Sequence, residues 1–287
     1  MVRQVKLGIS RRHLPKDNLN KMMNMQTVIL CGGKGTRLKE ETEFKPKPMV
    51  KVGDMPILVH IMKIYAFYGY KEFILCLGYR GDVIKEYFLN LSKFTNDFRL
   101  DLATNTVEYL NCYHDFDFKI TFVETGEETQ SGERVKIAAQ YIEEDEFMVT
   151  YGDGVSNIDI PKLIRLHRAQ VKKHGTLATL SAVHPSSKYG KIYADNDNIL
   201  ERFDEKPVLT DYINGGFMVL NKKALKYIGK GDMLEDSLQK MTKKGKLSQF
   251  RHNGFWHSMD TMKDVIDLNK MWEKGDRPWV LGGEQCN

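Results

Sequence analysis

The sequence lacks the features of membrane, disulfide-rich and nucleic-acid-binding proteins. No apolar run reaches the roughly 20 residues that span a bilayer. The 287 residues carry a net charge of only +5 and no basic block with interleaved aromatic residues, which disfavours nucleic-acid binding. The four cysteines show no metal-ligand or redox spacing, so we expect free thiols and a reducing, cytoplasmic compartment.

Motifs of covalent and zinc-dependent catalysis are also missing. The eight histidines form no HExxH pair, and no serine lies in a GxSxG sequence. No cysteine can be paired with a histidine as a nucleophile and its base. The sequence therefore does not indicate a covalent nucleophile, and chemistry must come from other groups.

A glycine-rich loop follows the first strongly apolar segment. Residues 27–31 (TVILC) predict a buried strand, and the sequence GGKGTRL occupies 32–38. Glycines let the backbone approach a ligand closely, and free N–H groups can cradle phosphate oxygens. The loop lacks the Gly-Lys-Ser/Thr ending of a P-loop, and Leu38 stands at the third glycine of a dinucleotide fingerprint. Taken alone, Gly32-Gly33 favours a tight strand-to-helix turn.

The sequence Lys-Pro-Lys-Pro at 45–48 changes that interpretation. Pro46 and Pro48 restrict the backbone on both sides of Lys47, which would hold its ammonium in place. Arg37 adds a second fixed positive charge beside the glycine loop. Lys45 is interpreted as a solvated surface lysine. Together these features predict a nucleoside triphosphate site.

Two aspartates are candidates for a metal site. Asp153 lies between two glycines after a predicted strand at 147–150, and taken alone Asp-Gly favours a simple turn. Asp260 precedes Thr261, which with Asp264 has the pattern of a helix capping box. Two carboxylates in one cleft would suit Mg²⁺ together with substrate phosphates. Spacing alone leaves a loop role equally open for both.

Apolar strands alternate with helical stretches after Met25, which predicts an α/β fold. The pattern gives βαβ units and a mostly parallel, Rossmann-like sheet flanked by helices. Ligands bind at the carboxyl ends of the strands in such sheets, so the glycine loop and residues 152–154 should face one cleft. The predicted strands are 26–31, 72–77, 120–123, 147–150 and 177–183. The predicted helices are 56–69 (capped by Asp54), 82–90, 133–142 and 160–172.

The rhythm changes after about residue 185. Short strands at 191–194, 199–204 and 216–220 predict a small antiparallel lobe on the substrate side of the sheet. Helices are predicted again at 222–228, 234–244 and 261–274. We interpret 25–287 as a single domain. Residues 1–24 have no long apolar core, so they predict a disordered extension rather than a secretory signal.

Several segments together resemble the signature of sugar-1-phosphate nucleotidyltransferases. They are LCGGKGTRL (30–38), KPKPM (45–49), YGDG (151–154), EKP (205–207), INGGF (213–217) and FWHSMDT (255–261). The similarity is strongest to the glucose-1-phosphate cytidylyltransferases within that family. The similarity to this group within the family depends on six further segments: EET (40–42), KPMV (47–50), TG (125–126), SGER (131–134), WEKG (272–275) and PW (278–279).

The resemblance implies a nucleotide-diphospho-sugar transferase fold and a defined reaction. CTP and α-D-glucose 1-phosphate would give CDP-glucose and pyrophosphate, with Arg37 and Lys47 catalytic and with Mg²⁺ held by Asp153 and Asp260. The residues that would contact the nucleotide are Leu30, Cys31, Gly32, Gly33, Lys34, Gly35, Thr36, Arg37, Lys47, Thr129, Arg134 and Gly152. Those that would contact the sugar phosphate are Gly190, Glu205, Lys206 and Asn214.

The resemblance further implies small-molecule substrates, a homo-oligomer and a supply of sugar nucleotide for O-antigen or another polysaccharide. The chain departs from the family pattern in having Cys31 for Ala, Glu133 for Gly and Lys188-Tyr189-Gly190 for Arg-Phe-Gly.

Three alternative functions stay open. They are the same chemistry giving UDP- or dTDP-glucose, a non-catalytic sugar-nucleotide sensor, and an NAD-binding Rossmann protein, which Arg37 and Leu38 disfavour.

Overall fold

Fifteen strands and eight α-helices are found in the computed structural model, which describes residues 25–110 and 116–282. The predicted disordered extension at 1–24 lies outside these residues. The strands are β1 (Thr27–Leu30), β2 (Lys51–Val52), β3 (Met55–Pro56), β4 (Glu72–Leu77), β5 (Phe98–Asp101), β6 (Thr106–Tyr109), β7 (Lys119–Glu124), β8 (Glu146–Tyr151), β9 (Gly154–Ser156), β10 (Ala178–Val183), β11 (Lys191–Ala194), β12 (Leu200–Asp204), β13 (Ile213–Asn221), β14 (Leu247–His252) and β15 (Trp256–Ser258). The helices are α1 (Lys39–Thr42), α2 (Ile57–Phe67), α3 (Gly81–Leu89), α4 (Leu91–Thr95), α5 (Ser131–Ala138), α6 (Ile160–His174), α7 (Leu234–Lys243) and α8 (Met262–Glu273).

A seven-stranded sheet forms the centre of the fold, in the order β14-β10-β13-β8-β1-β4-β7. Strands β8, β1, β4 and β7 are parallel neighbours, and β10 is parallel to β14. Only β13 among the seven runs in the opposite direction. The predicted mostly parallel sheet is therefore confirmed. The prediction that 216–220 belongs to the antiparallel lobe is wrong, because β13 is an inner strand of the main sheet.

The central strands are buried on both faces. Ile29 belongs to one apolar cluster, while Val28 and Leu30 belong to another on the opposite face of the sheet. Burial on both sides accounts for the continuous apolar run of β1, which a half-exposed strand would not have. Helices contribute Leu58, Ile164 and Leu268 to the first cluster and Val135 and Leu238 to the second.

The caps predicted for two helix starts have different outcomes. The predicted capping box of α8 is confirmed, since Thr261 Oγ1 accepts from Asp264 N and Asp264 Oδ2 accepts from Thr261 N at 2.7 Å. The prediction that Asp54 caps α2 is wrong. That helix begins after Pro56, with no side-chain cap, because Asp54 lies in the turn between β2 and β3. The predicted helix at 222–228 is a 3₁₀ helix at Lys222–Tyr227.

Four small antiparallel sheets surround the main sheet. The pair β11–β12 corresponds to the predicted lobe, and the pair β5–β6 was not predicted. The pair β9–β15 matters most for the site because it aligns Ser258 with Gly154, directly after the carboxyl end of β8. Among the described residues, no helix combines the length and apolar character needed to cross a membrane.

Candidate active site

A cleft of about 400 Å³ opens at the carboxyl ends of β1 and β8. The glycine loop, the lysine between two prolines and residues 152–153 all reach it, as expected for ligand binding at strand ends. Every residue predicted to contact the nucleotide lines this cleft, together with both predicted metal ligands. The lining includes Leu30, Cys31, Gly32, Gly33, Lys34, Gly35, Thr36, Arg37, Lys47, Thr129, Arg134, Gly152, Asp153 and Asp260.

The glycines at the cleft meet different local requirements. Gly35 has φ +62°, a left-handed conformation that glycine adopts without strain. Gly152 lies so close to β1 that a Cβ there would be 2.8 Å from the Leu30 carbonyl oxygen. A Cβ on Gly33 would meet no atom within 4 Å. Gly33 thus leaves open space at the cleft, whereas Gly35 and Gly152 are required by the backbone.

Arg134 holds the floor of the cleft together. Arg134 is 4% exposed, and its four terminal N–H groups all donate hydrogen bonds, to the end of β4 and to the loops after β1 and β7. One terminal nitrogen donates to Leu77 O and Thr125 Oγ1, at 2.9 and 2.6 Å. The other donates to Gly32 O and Glu127 O, at 3.1 and 3.0 Å. Arg134 therefore ties the end of β4 and the loops after β1 and β7 to one another, with only Nε–H of its five donors outside these bonds.

Lys47 lies between the two aspartates. Its Nζ is 2.6 Å from Asp153 Oδ2 and 2.9 Å from Asp260 Oδ1. Arg37 Nη2 approaches the same Asp260 oxygen at 3.2 Å, although the Arg37 side chain is 74% exposed. Ser258 donates to the second Asp260 oxygen at 3.0 Å. Residues distant in the chain thus form one cluster of two cations and two anions.

The backbone explains why these side chains meet. Pro46 is extended and Lys47 opens a short 3₁₀ helix, Lys47–Met49, so the ammonium projects from a restricted turn. The pairing of β9 with β15 brings the two aspartates together, and Met259 N donates to Asp153 O at 2.8 Å. Lys45, in contrast, lies outside the residues that line the cleft, but at 35% exposure and 2.7 Å from Glu41 it is a paired lysine rather than the solvated one predicted from the sequence.

Mutual neutralisation fixes the charge state of this cluster. Burial acts to lower the pKa of Lys47, but Asp153 and Asp260 outweigh burial and the pKa is raised. Burial acts to raise the pKa of Asp260, but the hydrogen bond and charge of Lys47, assisted by Arg37, outweigh it and the pKa is lowered. Lys47 and Asp260 are consequently both charged near neutral pH.

No activated thiol contributes to the cleft. Complete burial raises the pKa of Cys31 well above its ordinary value, so the thiol stays protonated. Burial also raises the pKa of Cys76, to about 12. These values agree with the absence of a sequence motif for covalent catalysis.

The pair of carboxylates is the candidate position for a metal ion. Within 25–110 and 116–282, no group of three or more His, Cys, Asp or Glu residues could hold an ion by itself. Asp153 and Asp260 nevertheless converge on one cation, the Lys47 ammonium, so their spacing suits a positive charge between them. Two carboxylates without further protein ligands match an ion that completes its coordination with water and substrate phosphates.

The residues predicted for the sugar phosphate do not all reach a cavity. Asn214 lines a second pocket of about 270 Å³, which shares Tyr151, Asp153 and Asp260 with the first. Gly190, Glu205 and Lys206 flank the exposed β11–β12 hairpin and line neither pocket. Glu205 and Lys206 form an ion pair at 3.3 Å. Glu205 and then Lys263 and Asp267 of α8 raise the pKa of Lys206. The turn at 205–206 therefore lies beside α8, the helix that follows Asp260.

Several cleft residues were missed at the sequence level. Tyr151 lines both pockets, Ser258 holds Asp260, and Pro48 lies under Gly152. Tyr151 and Ser258 stand inside the quoted segments 151–154 and 255–261, so their position next to the two aspartates was an available signal. Glu127 and Met233 also line the cleft, but no sequence pattern distinguishes them.

This chain is similar to known proteins over most of its length. A glucose-1-phosphate cytidylyltransferase of Salmonella typhi is 42% identical, over 89% of this chain and 98% of its own. A probable glucose-1-phosphate cytidylyltransferase of Bacillus subtilis (strain 168) is 43% identical, over 90% of this chain and all of its own. The crystal structure of HddC from Yersinia pseudotuberculosis superposes with a TM-score of 0.62 at 25% identity, covering 86% of this chain and 99% of that one.

A family model also matches most of the chain. The model of the family described as nucleotidyl transferase matches residues 26–275, which include the glycine loop, Lys47 and both aspartates. The predicted α/β fold and the predicted resemblance are both confirmed. On the cleft and on these comparisons together, the chain belongs to the nucleotidyl transferase family.

Proposed function

We propose that this chain transfers the cytidylyl group of CTP to α-D-glucose 1-phosphate and releases pyrophosphate. The observation that carries the proposal is the Lys47 ammonium held between Asp153 and Asp260 beside the glycine loop. The choice of CTP and glucose 1-phosphate is supported by relatives of that activity that align with nearly the whole chain.

The proposed reaction needs no general base. A phosphate oxygen of glucose 1-phosphate is already anionic near neutral pH, and it attacks the α-phosphorus of CTP in line while pyrophosphate departs from the opposite side. The barrier comes from bringing two anions together and aligning them, so positioning and charge neutralisation are the main catalytic tasks.

Each proposed role follows from a side chain in the cleft. Lys47 would neutralise the α-phosphate, because its side chain is 12% exposed and its ammonium is held by Asp153 and Asp260. Arg37 and the backbone N–H groups of the glycine loop would stabilise the departing pyrophosphate. Asp153 and Asp260 would hold Mg²⁺, which when bound supplies further positive charge to the substrate phosphates.

The remaining proposals concern the molecule in the cell. A cytoplasmic location is supported by two cysteines, Cys31 and Cys76, that are free and buried.

A homo-oligomer is supported by an exposed apolar face on the β5–β6 hairpin. This face consists of Phe98, Leu100, Val107 and Tyr109. A two-stranded hairpin alone is marginally stable, so a second copy of the chain packed on this face would stabilise it. Light scattering on the purified protein would test the oligomer, and a monomer at all concentrations would contradict it.

One assay tests the proposed reaction against its rivals. Pyrophosphate release is measured with CTP, UTP, dTTP and ATP, each with and without glucose 1-phosphate. The proposal predicts release with CTP that requires the sugar phosphate. Release favouring UTP or dTTP would assign the same chemistry to another base. No release with any pair would contradict an enzymatic role and favour a binding protein.

A further inference from the structure

Tyr151 separates the two pockets of the cleft. It is the last residue of β8, precedes Gly152 and Asp153, and lines both pockets. Its ring packs against Gly216, where a Cβ would come within 2.8 Å of a ring carbon. The tyrosine is thus fixed between the nucleotide-side pocket and the pocket that contains Asn214.

The Tyr151 hydroxyl has a defined direction of donation. It donates to Glu235 Oε1 at 2.5 Å. This hydrogen bond engages the single proton of the phenol hydroxyl. Asn214 Oδ1 accepts from Gly216 N at 3.0 Å, and Asn214 lines the second pocket together with Tyr151.

One of the two carboxylate oxygens of Glu235 is in an unfavourable environment. Its second oxygen, Oε2, is buried without a hydrogen-bond partner among the described residues. A buried carboxylate oxygen left without a donor costs free energy that an apolar side chain would not. Glu235 lies in the first turn of α7, where the helix dipole favours a negative charge. A local cost of this kind is typical of a functional position.

We propose that Glu235 is a positioning residue that commits the proton of Tyr151 and so makes Tyr151 an acceptor for a hydroxyl group of the sugar phosphate. With its proton engaged by Glu235, the phenol oxygen can only accept further hydrogen bonds, which an anionic phosphate oxygen cannot donate and a hydroxyl group can. Because Asn214, predicted to contact the sugar phosphate, lines the second pocket with Tyr151, we place that hydroxyl on the glucose ring rather than on the ribose of CTP. This inference rests on the proposed function for the identity of the sugar phosphate.

The test compares Tyr151→Phe with Tyr70→Phe, a matched change at a buried tyrosine that lines neither pocket. KM and kcat are measured for CTP, for glucose 1-phosphate and for its monodeoxy analogues. Tyr151→Phe should raise KM for glucose 1-phosphate about tenfold, the scale of one hydrogen bond. KM for CTP should change less than about twofold. Tyr70→Phe should leave both KM values unchanged.

The deoxy analogues identify the hydroxyl. Removal of one particular hydroxyl should cost the wild-type enzyme about tenfold in kcat/KM and cost Tyr151→Phe almost nothing, as in a double-mutant cycle. If every analogue costs the variant as much as it costs the wild type, the proposal is wrong. An equal rise in KM for both substrates would also overturn it, because a general structural loss is not selective.

Glu235→Leu provides a second variant, which removes the acceptor of the phenol proton. The hydroxyl is then free to turn its proton towards the cleft. We expect the same selective rise in KM for glucose 1-phosphate, with a melting temperature close to that of the wild type, since the unpartnered carboxylate oxygen is removed as well. Wild-type kinetics in Glu235→Leu would remove the positioning role. A wild-type enzyme inactive with CTP and glucose 1-phosphate would instead overturn the proposed function, so the two failures are distinguishable.

Discussion

The residues proposed to contact the nucleotide and those proposed to contact the sugar phosphate differ in what holds them in place. On the proposed nucleotide side, Gly32 O accepts from the buried Arg134, and Lys47 is held by two carboxylates. Glu205 and Lys206, in contrast, lie outside both pockets, at the base of an exposed hairpin, and pair with each other. Lys206 even adopts a left-handed φ of +48°, which is uncommon for a residue with a side chain.

This difference matches the demands of the proposed reaction. Charge develops at the phosphates, where preorganised cations and N–H groups reduce the barrier most. An exposed hairpin with few buried contacts belongs to the part of a fold that opens most easily. We therefore expect substitutions on the nucleotide side to reduce turnover, and those on the hairpin to weaken binding of the sugar phosphate.

Lys47→Ala should give the largest effect. We expect kcat/KM to fall by about two orders of magnitude or more, the scale for loss of a preorganised electrostatic donor. The matched control is Lys45→Ala, which removes a lysine that pairs with Glu41 outside the cleft and should cost little. Steady-state pyrophosphate release measures both variants. Equal losses would erase the distinction between the cleft lysine and its neighbour.

Lys206→Ala should have a smaller and more selective effect. Loss of one charge-assisted hydrogen bond at an exposed turn should raise KM for glucose 1-phosphate about tenfold and leave KM for CTP unchanged. Lys191→Ala on the same hairpin, where the lysine lies over the Tyr193 ring, is the control. A hundredfold fall in kcat for Lys206→Ala would break the comparison, because the hairpin would then act in the chemical step.

His167, a buried residue that lines neither pocket, should make the free energy of unfolding depend on pH. Burial lowers its pKa to about 4, although Glu146 acts in the opposite direction. An unfolded histidine titrates near pH 6.5, so the unfolded chain binds the extra proton first as the pH falls. Between about pH 6.5 and 4 the free energy of unfolding should therefore decrease, by at most roughly 1.4 kcal/mol per pH unit from this group.

Urea unfolding at several pH values measures this slope. The slope should be smaller in His167→Gln, and turnover at pH 7.5 should be retained because His167 lines neither substrate pocket. An unchanged slope in the variant would show that other groups cause acid sensitivity.

Deletion of residues 1–24 should have the smallest effect. The family match begins at residue 26, and the described structure begins at residue 25. Activity and melting temperature should both stay close to those of the full chain. A large loss of either would show that the segment contributes to the domain or to a neighbouring subunit.

The grouping of the glycine loop, Lys47 and Asp153 in one cleft could be predicted from the sequence because its signals are local. Glycines after an apolar strand, a lysine between two prolines and an aspartate between two glycines each restrict the backbone. Parallel strands then bring their carboxyl ends to one edge of the sheet. The convergence of Asp153 with Asp260 was left open by spacing, since it depends on the pairing of β9 with β15.

The rest depended on tertiary contacts that no local pattern specifies. Strand β13 was assigned to the lobe because its neighbours are short strands, yet its buried residues pair with β8 and β10 in the main sheet. Asp54 has a side chain suited to capping a helix, but it lies in the turn between β2 and β3 rather than at the start of α2. Tyr151 and Glu235 meet across 84 residues of sequence, so neither indicated the other.

The most direct test of the central claim is the Mg²⁺ titration of Asp260→Asn. The substitution removes a ligand charge but retains the side-chain shape, so the fold should persist while turnover is mostly lost. Residual pyrophosphate release should require higher Mg²⁺ concentrations than the wild-type enzyme requires. Normal turnover with an unchanged Mg²⁺ titration would contradict the claim that Lys47, Asp153 and Asp260 form the catalytic centre.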